Sequence, residues 1–273
     1  LGEDVVAVSH ECDFPAEALT RRQVTSSNVD SSRASDDIDQ QVQSLSAAGD
    51  ALYEFDRAAL IDLRPDLIVT QAQCDVCAVR YQDVVDFVQA ESALAGTQIV
   101  PLNPQLLSDL FADVLRIGQA AGVADRAEQY VASLRQRVAA VGDQTALVPV
   151  TERPRVCCIE WIEPLMLAAN WTPELIDIAG GRCPLTQAGR HSTYSSWQDV
   201  VQYDPEVIVV APCGFDLERT LHEARGMTDW DGFDSLTATK QGRVFALDGN
   251  AYLNRSGPRL VDSIEILAHL FQP

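Results

Sequence analysis

Apolar positions recur at helical spacing from Asn103 to Val141: Leu106, Leu107, Leu110, Phe111, Val114, Leu115 and Ile117, then, after Gly122, Tyr130, Val131, Leu134, Val138 and Val141. That period predicts a long helical connector over residues 104–142, and Pro104 suits its first turn, where a missing N–H costs nothing. On each side the pattern shortens to strand, turn, helix, strand. Before the connector, strands are expected at Val5–Ser9, at Leu67–Thr70 (apolar enough to be buried on both faces) and at Gln98–Leu102. Helices are expected at Asp37–Ala48, up to Leu63 and at Tyr81–Ala93, and residues 23–37 read as polar loop. After the connector, strands are expected at Arg155–Trp161, Glu206–Ala211 and Arg243–Leu247. Helices are expected at Pro173–Ala179 (stopped by Gly180-Gly181), Ser196–Tyr203, Leu217–Arg225 and Pro258–Phe271. The expected fold is therefore α/β: two Rossmann-like lobes, residues 1–103 and 143–273, joined by one long helical spine, with a ligand cleft between them.

Composition narrows the function classes. The chain has 273 residues and is 47% hydrophobic, enough for one or two cores. No apolar run approaches the roughly 20 residues of a membrane span, so direct membrane insertion is not expected. Forty acidic against 20 basic residues give a net charge of −20, which opposes binding to nucleic acid or to an anionic membrane surface. The opening residues Leu1–Asp4 read as the end of a helix running straight into a strand, so the chain is expected to begin mid-lobe.

Seven cysteines, Cys12, Cys74, Cys77, Cys157, Cys158, Cys183 and Cys213, are odd in number and include an adjacent pair. They do not make a secreted disulfide framework, and reduced thiols are the simpler reading; a Cys74–Cys77 disulfide is the alternative. Cys157 and Cys158 read as small buried hydrophobes. His10 and Cys12, after the first strand, and Cys74-x-x-Cys77, after a second, could converge on Zn²⁺ or another borderline-soft ion. Only one Cys-x-x-Cys is present, so the convergence is assumed rather than read.

In open α/β sheets ligands sit beyond the carboxyl ends of the strands. The unusual residues collect there: His10, Glu11, Cys12 and Asp13; Cys74 and Cys77; Glu160 and Trp161; Phe215; Asn250, Tyr252 and Arg255. The loop after Asn170 adds Trp171, His191 and Tyr194. Rings with a few polar groups suit a large, flat, amphipathic ligand. Trp197 and Trp230 lie on helical patterns and are assigned to the core. No G-x-S-x-G, G-x-G-x-x-G or P-loop is present, and Ser9, His10 and Glu11, being adjacent, cannot form a triad on a strand; binding is favoured over catalysis.

The segments SHECDFP, LYEFDRAALIDLRPDLIVTQAQCDVCAV, PLNPQLLSDLFADVLRIGQAAG, ANWTPELIDIAGG and DPEVIVVAPCGFDLERT together resemble the cobalamin-binding branch of the class III solute-binding proteins, the helix-spined receptors of ABC importers. The resemblance spans nearly the whole chain. It implies a cobalamin-like corrinoid as ligand, with haem or a ferric siderophore as alternatives, no required cofactor, an importer as partner and a place outside the cytoplasm. The family's opening strand and loop of the form SLxPSxTE has no counterpart here, which implies a first lobe without its first strand. A cytoplasmic, thiol-rich metal- or corrinoid-handling protein on the same fold is the second reading.

Overall fold

The structure is a computed structural model that describes residues 1–73 and 78–272. The chain divides into two compact units, Leu1–Asn103 with Asp113–Glu128, and Pro104–Ala112 with Gln129–Pro273.

The first unit is built from short paired strands. Strand β1 (Ala7–Val8) pairs in parallel with β2 (Arg22–Gln23). Strand β3 (Thr25–Ser27), after which helix α1 (Ser35–Ala48) follows, pairs antiparallel with β4 (Tyr53–Phe55). Helix α2 (Arg57–Leu63) starts where the Asp56 carboxylate accepts the Ala59 N–H at 2.8 Å, and ends at Arg64 in the left-handed region (φ 47°) just before Pro65. Strand β5 (Leu67–Gln71) follows, then helix α3 (Tyr81–Ala90), and β6 (Gln98–Leu102) pairs in parallel with β5. Leu60, Val84, Val88 and Leu94 form the buried centre, with Tyr53, Phe55, Ile68 and Ile99 packed around it. Two expectations change here. The 23–37 loop contains β3, too short to show a period, and β5 is half-buried rather than covered on both faces, with Val69 42% exposed.

The expected single spine is two helices, α4 (Leu107–Ala120) and α5 (Ala124–Thr145). Gly122 (φ 69°) breaks the run: its N–H reaches the Gln119 carbonyl at 3.2 Å while the Val123 N–H reaches Gly118 at 2.8 Å, a paired cap that satisfies the last carbonyls of α4. A periodicity count carries straight through such a break, because the apolar face resumes after it. The corner needs Gly118 as well, since a Cβ there would stand 2.2 Å from the Ala127 Cβ. The division into units falls within α4 and α5, so each helix contributes to both.

The second unit centres on one sheet. Strand β7 (Val156–Trp161) is followed by β8 (Met166–Leu167), helix α6 (Thr172–Ile178), helix α7 (Trp197–Tyr203) and β9 (Val207–Val210). Helix α8 (Leu217–Ala224), helix α9 (Thr237–Lys240), β10 (Val244–Ala246) and helix α10 (Leu260–Phe271) complete it. The strand order is β10-β9-β7-β8, parallel except for β8. Cys157, Ile159, Ile208 and Val210 pack on one side with Val200, Met227 and Leu236. Beside Val156, Gly181 lies so close to Phe271 and Ile176 that a Cβ would meet all three within 2.9 Å, so this side is covered as well. Trp197 meets Trp230 edge-on at 4.8 Å against this core. The pair β8 was not expected from sequence; two residues leave no pattern.

Candidate ligand site

In the first unit the loop after β1 carries His10, Glu11, Cys12 and Asp13. The Thr25 hydroxyl lies 2.9 Å from the His10 N–H, which donates to it, and 2.6 Å from Nδ1 of the same residue. The ring leans on Tyr53 with centroids 5.8 Å apart. Its Nε2 is buried without a hydrogen bond, the nearest carboxylate being Glu11 Oε1 at 3.5 Å. Cys12 is half-buried with its sulfur 3.4 Å from the Ser9 hydroxyl, and Glu11 and Asp13 are exposed. Thr25 ties this loop to β3, and no property of the sequence marked it. Cys74 and Cys77 lie outside the described residues. Among the described residues no three His, Cys, Asp or Glu side chains gather as a set able to hold a metal ion.

The second unit brings more of the expected residues together. Glu160 and Trp161 end β7, and the Cys213 N–H donates to the Glu160 carbonyl at 3.0 Å, which lays the loop after β9 against the end of β7. The half-buried Trp161 ring meets Phe215 at 5.2 Å, tilted by 55°. Phe215 is only 2% exposed, and the Arg219 guanidinium lies over its ring at 3.6 Å. The Asn250 N–H donates to the Phe215 carbonyl at 3.1 Å, and Arg255 donates to the Asn250 side chain at 2.5 Å. The Arg259 guanidinium covers Tyr252 at 4.5 Å. The approach of these loops is fixed by Gly249, where a Cβ would stand 2.2 Å from the Pro212 carbonyl oxygen. Arg219 and Arg259 were missed from sequence; the spacing Phe215-x3-Arg219, one helical turn, was the available signal.

Two expected contacts take other positions. Trp171 is buried and donates its indole N–H to the Leu253 carbonyl at 2.8 Å, so it packs between loops and offers no free face. Tyr194 is 57% exposed and lines a separate groove of about 740 Å³ with Leu185, Thr193, Asp199 and Tyr203. His191 is exposed on the same loop. That loop is fastened by Ser192, whose hydroxyl donates to Glu160 at 2.8 Å and accepts the Ala169 N–H at 3.0 Å. Burial pushes the Glu160 carboxyl above its ordinary range, and the Ser192 donor offsets part of that rise. Burial also pushes the Cys157 and Cys158 thiols well up, which suppresses the thiolate that reactivity and metal binding require.

Strand-end loops that gather rings and a few polar groups, on an α/β scaffold, are one half of the pattern read from sequence. A model of the periplasmic binding proteins matches residues 13–251, most of the chain. The chain belongs to the periplasmic binding protein family. It is 22% identical over 240 residues to the ABC transporter substrate-binding lipoprotein YvrC of Bacillus subtilis (strain 168), covering 85% of this chain and 69% of that protein. It is similar in structure to the periplasmic vitamin B12 binding protein BtuF of Vibrio cholerae, with TM-score 0.68, 18% identity, and 97% and 87% of the two chains covered. It is equally similar to a periplasmic haem-binding protein of Pseudomonas aeruginosa, with TM-score 0.69, 18% identity, and 97% and 84% covered. Likeness at this identity shows the fold: the two-lobed α/β architecture of periplasmic binding proteins, as the resemblance implied.

Proposed function

We propose that this periplasmic binding protein holds a cobalamin-like corrinoid, outside the cytoplasm, for delivery to an ABC-type importer. The observation that carries the reading is the half-buried Trp161 ring at the carboxyl end of β7, set beside the loops that bear Phe215, Asn250, Tyr252 and Arg255. A rigid indole face beside hydrogen-bonding groups suits a broad, flat chelate with amide or acid substituents. The similarity to a B12 binder supports a corrinoid, the similarity to a haem binder keeps haem as the alternative ring, and the similarity to YvrC, an ABC transporter substrate-binding lipoprotein, supports the importer and the extracytoplasmic place. No helix among the described residues is long and apolar enough to cross a membrane.

Titration calorimetry of the purified protein against cyanocobalamin, cobinamide, haemin and a ferric siderophore tests the ligand. Cyanocobalamin is expected to bind tightest, with little change on adding salt, because the contacts are aromatic. Binding of the siderophore alone would overturn the corrinoid assignment. Metal analysis tests the thiol-handling alternative: zinc is expected near zero in the wild type and unchanged by replacing Cys74 and Cys77 with Ser. Stoichiometric zinc, lost in that double variant, would replace the proposal with the metal-handling reading.

A further inference from the structure

We propose that Arg219 is a positioning residue of the ligand site, acting through Phe215 to seat the Trp161 ring, and that Trp161 rather than Phe215 is the ring that meets the ligand. The inference rests on the ligand-binding reading above and deepens it. The three side chains form a column. The Arg219 guanidinium carbon stands 3.6 Å from the Phe215 centroid, and Phe215 in turn meets Trp161 at 5.2 Å. With Arg219 against its face, Trp161 beside it and 2% of its surface exposed, Phe215 has no face left for a ligand. Trp161 is half-buried, and its indole N–H is used by the Glu163 carbonyl at 3.0 Å, which fixes the ring in its plane.

The column's far end is held as firmly. Arg219 sits on the first turn of α8, whose N-cap Asp216, the residue after Phe215, accepts the Arg219 N–H at 2.8 Å, so the backbone that carries the guanidinium is fixed to the residue beside the ring it covers. Glu223, one turn on, approaches the guanidinium at 3.9 Å. A cation over a desolvated ring is drawn to the negative face of its π-system. Removing it frees Phe215 to tip toward the space left behind, and the Trp161 ring loses its backing. The Arg219 side chain is thereby spent on the ring, so the site's sequence-visible cation, Arg255, is a different group with a different task.

The experiment compares Arg219→Lys and Arg219→Gln with the wild type, each with Trp161 and with Trp161→Phe. The Trp161 emission is the difference between the two backgrounds, which removes Trp171, Trp197 and Trp230. In the free protein, Arg219→Gln is expected to shift that emission to the red and make it more quenchable by acrylamide, with Arg219→Lys close to wild type. Cyanocobalamin or haemin, whichever binds the wild type, is expected to lose about tenfold in affinity with Arg219→Gln and under about threefold with Arg219→Lys. In the Trp161→Phe background Arg219→Gln should cost little more than Trp161→Phe alone, because the two act through one ring. Unchanged Trp161 emission in Arg219→Gln, or additive losses in the double variant, would overturn the column. If no probe binds the wild type, the ligand reading fails while the emission arm still decides the column.

Discussion

Strands β5 and β9 are entered the same way and end up in different surroundings. Each follows a helix that stops at a non-glycine residue in the left-handed region, Arg64 at φ 47° and Asp204 at φ 50°, with the capping N–H returned to the last turn and a proline next. Each then reads as a short apolar run, LIVT and VIVV. Yet every residue of β9 is fully buried, while Val69 in β5 is 42% exposed. Strand β9 lies between β7 and β10, whereas among the described residues β5 pairs only with β6. Local sequence thus sets where a strand starts and which way it runs. Burial comes from neighbours that arrive from elsewhere in the chain.

The strongest way to break this comparison is to cut the same side chain from both strands. Ile208→Ala is expected to cost about 2–5 kcal/mol, the usual range for a buried aliphatic truncation, and Ile68→Ala less than half of that, since it is partly exposed already. Urea unfolding of the two variants measures both; equal costs would mean that β5 is better covered than its exposure shows. Next in size is Gly249→Ala, whose Cβ would press on the backbone at Ala211 and Pro212. It is expected to destabilise by about 1–3 kcal/mol and to weaken ligand binding, because the loops bearing Phe215 and Asn250 must part. Gly49→Ala in the first unit meets open space and should cost only its left-handed conformation, about 1 kcal/mol.

Helix caps sharpen the comparison from the other side, because they are local. Asp56→Ala and Asp216→Ala each remove a carboxylate from an N-terminal N–H, and each should cost about 1 kcal/mol despite the unequal cores. Thermal melts showing one cap worth several times the other would make the caps depend on tertiary context. The smallest effects are pH-dependent and opposite in sign. Glu160 is raised by burial, so the folded state is penalised for holding it ionised near neutrality and gains stability as pH falls through its folded value. Glu160→Gln should therefore stabilise at neutral pH, with the advantage closing in acid. Asp204 is lowered chiefly by the Thr237 N–H and hydroxyl, so its contribution is present at neutral pH and is lost as pH falls below the ordinary aspartate range. Asp204→Asn should destabilise at neutral pH and converge with wild type in acid. Stability curves from pH 3 to 8 show both signs.

The legible parts of this fold were those with a period or a punctuating residue. Strands β6 and β9 and helices α6, α7 and α10 stood out because apolar spacing, Gly and Pro mark them within a residue or two. The short strands β3 and β8 left no trace, since a period cannot be read from one repeat, whereas β1 and β10, no longer than these, lay inside the strands expected at Val5–Ser9 and Arg243–Leu247. The Gly122 corner hid inside a period that survives it. At the site, residue type found Trp161, Phe215 and Asn250, but could not tell a ring that faces out from one that is covered. Trp171 and Phe215 look alike to Trp161 in sequence, and only packing separates them. Arg219 escaped because an arginine on an amphipathic helix reads as solvated surface.

The Trp171 indole bonded to the Leu253 carbonyl joins residues 82 apart in the chain. On the ribosome Trp171 emerges long before its acceptor does, and at about 5–20 residues per second those 82 residues take several seconds to follow. During that interval β7 waits for β9, and β9 in turn for β10. The half-made sheet has an open apolar edge, first on β7 and then on β9, the strand that ends up buried at every residue, so the second unit is the client on which chaperone attention during synthesis should concentrate.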